Sequence, residues 1–111
     1  MDEMIVKADM MVWNIKNFPV HQKIVLLACI RISNLKKNRN MLKTFVEYCN
    51  ICDDLGIENT TYSDFETNID YLKDFKFIKC RSYNDRLLIT GIDHKDLYLE
   101  ALLEDPIFKK D

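Results

Sequence analysis

Apolar residues recur at spacings of three and four along most of this chain and then switch to alternation, which divides it into helices and a hairpin. Met4, Ala8, Met11, Val12 and Ile15 form the stripe of a first amphipathic helix, which Phe18 and Pro19 end because proline disfavours helical geometry at the residue before it. In "HQKIVLLACIRISNL" one side carries Ile24, Leu27, Ala28, Ile32 and Leu35 while Val25, Leu26 and Cys29 widen the apolar surface, the mark of a central core helix. A polar, basic connector, Lys36 to Asn40, follows. The third helix, "MLKTFVEYCNICDDLG", steps through Leu42, Phe45, Cys49 and Cys52 and is expected to stop at Gly56.

"IENTT" reads as a turn, and Ser63 with Glu66 as a capping box opening a helix that buries Phe65, Ile69, Leu72 and Phe75. After it, "FKFIKCRS" alternates, "YND" supplies turn residues and "RLLITGI" completes a hairpin. The tip has no Asn-Gly or Asp-Gly pair, so its turn type is not readable. Asp93 is placed to cap a last helix with Leu97, Ala101 and Leu102 beside Tyr98 on its apolar face, closed by Pro106. The expected fold is mainly α with a small β-hairpin, a winged helix-turn-helix with flanking helices.

At 111 residues the chain suffices for one core. Its 48% hydrophobic and 31% charged composition is that of a globular protein, without an apolar run of membrane-spanning length or a secretory leader at Met1 to Ala8, so an intracellular place is expected. Four cysteines agree with a reducing compartment. "CNIC" has the spacing of half a zinc site, but Cys29, Cys80, His21 and His94 are scattered singly and no metal is expected. Neither histidine stands in a recognisable nucleophile elbow, so no catalysis is expected. The net charge of −2, from 16 basic and 18 acidic residues, argues against strong stand-alone duplex binding, which relies on phosphate neutralisation.

A family resemblance lies in several ordered stretches. Phe18, Pro19, His21 and Lys23 open the second helix; Asp54, Leu55, Gly56 and Ile57 end the third; Thr61, Tyr62 and Ser63 start the next; Asp96, Ala101 and Leu102 lie in the last. Together they resemble the C-terminal winged-helix domain of the replication initiators called origin recognition complex subunit one and cell division control protein six, with the "EALLEDP" ending closer to archaeal members. The resemblance implies residues 1–17 as a leading helix from an ATPase module and 18–111 as the winged-helix domain. It implies binding of double-stranded origin DNA, with helicase recruitment, and contacts to other initiator subunits or the replicative helicase as partners; no membrane is involved. It places the protein in the cytoplasm or nucleoid if archaeal and in the nucleus if eukaryotic. Gly56 and Gly91 are the only glycines, so no glycine-rich phosphate loop is present. ATP and magnesium are therefore expected in the parent protein's ATPase module and no cofactor in this chain.

On such a fold the helix from Asp64 to Phe75 is the reading helix, with Asn68 suited to adenine, Tyr62, Ser63 and Thr67 to phosphates, and Lys73 its only cation. Lys79, Arg81 and Arg86 on the hairpin are further expected phosphate contacts, as are Lys36, Lys37 and Arg39 in the connector, with Lys43 beside them. Asp64, Asp70 and Asp74 would repel phosphate, and they support the alternative that this helix docks on a basic surface of a partner initiator or the helicase without reading DNA. Lys76 stands where this family commonly ends the helix with glycine, so a left-handed lysine or a different helix end is expected. Trp13 is expected to pack; its exposure would point to contact with the ATPase module.

Overall fold

A computed structural model describes residues 3–37, 39–83 and 86–109. The order is α1 (Glu3–Lys16), α2 (Val20–Ser33), α3 (Met41–Leu55), α4 (Tyr62–Asp74), β1 (Lys79–Tyr83), β2 (Arg86–Gly91) and α5 (Lys95–Leu103), with a 3-10 turn at Pro106–Phe108. Among the described residues no helix is long and apolar enough to cross a membrane.

Helix α2 is the axle. Ile24 to Ile30 and Ile32 are all buried, and α3, α4, α5 and β2 pack around it. The amphipathic α1 buries Ala8, Met11 and Ile15 against α5, where the Tyr98 hydroxyl donates to the Met11 sulfur at 3.2 Å and Lys16 pairs with Glu104 at 3.0 Å. Leu35 lies beyond the end of α2 and is exposed.

The apolar stripe of α3 is rotated from the one its sequence predicts. Thr44, Tyr48, Ile51 and Cys52 are buried, while Leu42 is 68% exposed. Two interleaved stripes were available at helical spacing, and the buried one carries two hydroxyl groups. Burial of these is tolerated because the Thr44 hydroxyl donates to the Asn40 carbonyl at 2.8 Å and Tyr48 finds its own partners. Asn40 caps α3, its side chain accepting from the Lys43 amide at 2.8 Å.

Helices α3 and α4 end with the same backbone device. Gly56 is left-handed at φ 69°, with Ile57 N–H donating to Cys52 C=O at 2.9 Å. Lys76 is left-handed at φ 70°, with Phe77 N–H donating to Leu72 C=O at 2.8 Å. A side chain there would meet no neighbour at Gly56, so the need at both positions is conformational.

Four local expectations are corrected. Thr61, not Ser63, caps α4, accepting from the Asp64 amide at 3.2 Å, and the helix therefore starts at Tyr62. Phe75 is 59% exposed, because it follows the last turn and the core there is filled by Phe77 and Ile78. At α5 the capping position is taken by His94, left-handed at φ 58° with no side-chain bond, while Asp93 pairs with Lys79; Leu97 is exposed beside the buried Tyr98, Ala101 and Leu102.

Strands β1 and β2 pair antiparallel with a register shift between Lys79 and Cys80. Asn84 and Asp85, the expected turn residues at the tip, lie outside the described residues. One feature of the sheet was not expected from the sequence. The connector runs along β2: Ile89 N–H donates to the Arg39 carbonyl at 2.9 Å, and Asn40 bridges antiparallel to Leu88.

Candidate nucleic-acid interface

Helix α4 turns about 100° per residue, and its buried line of Phe65, Ile69 and Leu72 fixes where every other side chain lies. Tyr62, Glu66, Asp70 and Lys73 share the flank that faces the hairpin. Ser63, Thr67 and Asp74 share the outward face. Asp64, Asn68, Tyr71 and Phe75 share the opposite flank, where the Phe18 ring meets Tyr71 edge-on at 5.9 Å. The expected reading residues are therefore spread over three sides of the helix.

Two of them are engaged locally. Thr67 donates its hydroxyl to the Ser63 carbonyl at 3.1 Å, and half-buried Asn68 donates its amide to the Asp64 carbonyl at 3.3 Å. Lys73 lies 3.8 Å from Asp70 and reaches toward β1. Burial raises the Cys80 thiol there, and the Lys73 charge acts in the opposite direction. Asp64, Glu66, Asp70 and Asp74 are all exposed, so the solvent face of α4 is acidic.

The hairpin and connector carry the opposite charge. Arg81 is exposed in the outer strand β1; Lys79 is exposed and paired at 3.0 Å with Asp93. Arg86 opens β2 opposite Tyr83, and its side chain lies outside what the structure describes. Lys36 and Lys37 are exposed and Arg39 half-buried. The Arg39–Ile89 bond and the Asn40–Leu88 bridge draw the end of this connector against β2, so Arg39 is held beside the hairpin that carries Arg81. Lys95 was not singled out from the sequence. It donates to Asn34, the residue that caps the end of α2, at 2.7 Å, and only the packing of α5 on α2 brings it there.

The turn between α3 and α4 is clamped from beneath. Tyr48 is fully buried, and its hydroxyl lies 2.9 Å from His21 Nδ1 and 3.0 Å from Thr60 Oγ1 while accepting from the Thr60 amide at 2.8 Å. His21 thus serves the positioning of α4. Burial raises the thiols of Cys29, Cys49 and Cys52, which disfavours the thiolate that nucleophiles and metal ligands need. Among the described residues no group of three or more His, Cys, Asp or Glu side chains is arranged to hold a metal ion. Trp13 is 65% exposed beside exposed Met10, contrary to the packing expected for it.

Residues 14–100 match the family model described as "CDC6, C terminal winged helix domain". No curated protein matches the chain significantly. Among solved structures, that of the Aeropyrum pernix ORC1 protein in complex with DNA is similar with a TM-score of 0.83 over 95% of this chain, at 20% sequence identity. The chain spans 29% of that protein's chain. At this identity the likeness is one of fold.

Proposed function

The chain belongs to the family of CDC6 C-terminal winged helix domains, and from that premise we propose that it binds the duplex of a replication origin as one part of a larger initiator. The observation that carries the reading is the hydrogen bond from Ile89 N–H to the Arg39 carbonyl, which ties the connector bearing Lys36 and Lys37 to the hairpin bearing Arg81. Cations spread over two sequence segments then act as one layer against phosphates. The similar ORC1 structure was solved with DNA, which supports the same reading.

In this arrangement Arg81, Lys36, Lys37 and Arg39 supply most of the attraction. The outward Ser63 and Thr67 hydroxyls, with Tyr62 at the helix start, add phosphate contacts from α4. Asp70 and Asp74 oppose them, so binding by this chain alone is weak. Tethering to an ATPase module, where ATP and magnesium would bind, raises the effective concentration and makes a weak contact useful. Helicase recruitment belongs to the assembled initiator.

The test is fluorescence anisotropy of labelled duplexes, origin-derived and scrambled, at low and physiological salt. Saturable binding that weakens with salt, prefers the origin duplex and falls in Arg81→Ala and in the Lys36→Ala/Lys37→Ala double variant is expected. Absence of binding even at low salt overturns the proposal.

A further inference from the structure

A groove of about 450 Å³ opens between the first turn of α3, the hairpin-facing flank of α4, and β2. Its apolar lining is Met41, Leu42, Tyr62 and Leu87, and Glu66 and Asp70 stand on the α4 wall. Leu42 at 68% exposure and Tyr62 at 39% leave much of that apolar surface in water. Val46, one turn after Leu42 on α3, is 45% exposed and extends the lane along the helix. Exposed apolar surface rimmed by charge marks an interaction site more often than a random surface does.

We infer that this groove takes a basic amphipathic helix from a partner protein, with aliphatic anchors against Leu42, Val46 and Tyr62 and an arginine against Glu66 and Asp70. Charge decides the occupant. Glu66 has no ion pair among the described residues and sits close enough to Tyr62 to reinforce the rise that burial gives its phenol. Asp70 has only the loose, exposed Lys73 contact at 3.8 Å. Two carboxylates with so little compensation among the described residues attract a guanidinium, which donates two N–H bonds to the oxygens of one carboxylate in a single plane, and repel a phosphate. A duplex backbone also offers nothing to bury Leu42 and Val46, whereas a helix with apolar residues at i and i+4 does. Leu42, Val46 and Glu66 take no part in the proposed duplex contacts, which share only Tyr62 with the groove, so Leu42→Ser and Arg81→Ala separate the two proposals.

The experiment is an anisotropy titration of this chain against a fluorescein-labelled helical peptide with leucines at i, i+4 and i+7 and arginines beside them. Controls are the same peptide with its leucines changed to serine and with its arginines changed to glutamate. Binding of the parent peptide alone is expected, weakened about tenfold or more by Leu42→Ser and by the Glu66→Lys/Asp70→Lys double variant, and unchanged by Arg81→Ala. Leu42 is exposed, so its variant folds, and circular dichroism checks that. Equal binding by Leu42→Ser would reduce the effect to bulk charge and overturn the proposal, as would no binding by the parent chain. A duplex affinity that falls with Leu42→Ser as the peptide affinity does would assign the groove to DNA. A sedimenting dimer abolished by Leu42→Ser would assign it to a second copy of the chain. Either result overturns the peptide assignment.

Discussion

The hydroxyl of Tyr48 accepts from the Thr60 amide at 2.8 Å and lies 2.9 Å from His21 Nδ1, so one buried phenol joins the start of α2, the middle of α3 and the turn that aims α4. Removing it leaves the Thr60 N–H without that partner in a half-buried turn. Tyr48→Phe is therefore expected to lower stability by about 1–2 kcal/mol in urea unfolding, with a shape-preserving ring still in the core. Hydrogen exchange at Thr60 should speed up in the variant relative to amides of α5. An unchanged exchange rate at Thr60 would mean that the turn is held by packing alone.

Lys76 occupies a left-handed backbone position at the end of α4 that costs a side-chain-bearing residue free energy and a glycine almost none. Lys76→Gly should raise stability by about 1 kcal/mol in urea or thermal unfolding, and Lys76→Ala should not. Equal effects of the two substitutions would point to the lysine charge rather than the backbone.

Asp105 lies 2.6 Å from the Lys23 ammonium, and Lys23 is only 8% exposed. The Lys23 hydrogen bond, followed by that from the Ile107 amide, holds the Asp105 carboxyl below its ordinary value of 3.8. A depressed folded value means that the stabilisation is complete above the ordinary value and is lost as pH falls through the lower one. Wild-type stability should therefore drop on acidification below about 4, with Asp105→Asn starting about 2 kcal/mol lower at neutral pH and showing a shallower acid slope. Parallel slopes for the two proteins would remove Asp105 from the account of acid unfolding.

The acids on α4 make a prediction of opposite sign from the cations. Asp74 projects from the outward face beside Thr67, where a phosphate approaching that hydroxyl meets a carboxylate. Asp74→Asn should tighten duplex binding a fewfold at low salt, and Arg81→Ala should weaken it and reduce the steepness of its salt dependence by about one ion. A loss of affinity in Asp74→Asn would show that the carboxylate itself contacts the nucleic acid.

Element existence and order were legible because periodicity reports burial directly: a stripe at spacings of three and four, a proline after Phe18, a left-handed stop at Gly56 and alternation after Phe75 leave few alternatives for a chain of this size. The resemblance carried by Phe18, Pro19, His21, Lys23 and the stretch from Asp54 to Ser63 was legible for the same reason, since those residues build caps, stops and the buried clamp. Even the unusual end of α4 was foreshadowed by a lysine in a glycine position.

Details that depend on which neighbour a residue meets in space were not legible. Sequence spacing allowed two stripes on α3, and burial of Thr44 and Tyr48 was decided by hydrogen-bond partners at Asn40, His21 and Thr60. Thr61 and Ser63 are both good caps, and the geometry of the preceding turn selected Thr61. The sequence alone thus determined that this is a chain of helices and one hairpin in winged-helix order, with a group of cations in the connector and hairpin and a group of acids on α4. Only the tertiary structure decided that the connector pairs with β2, that the expected readers of α4 face three directions, and that Leu42 and Tyr62 stand open beside Glu66 and Asp70. Periodicity reports how much of a residue is covered along its own element, but contacts between elements depend on the angle at which they pack, which no single stripe contains.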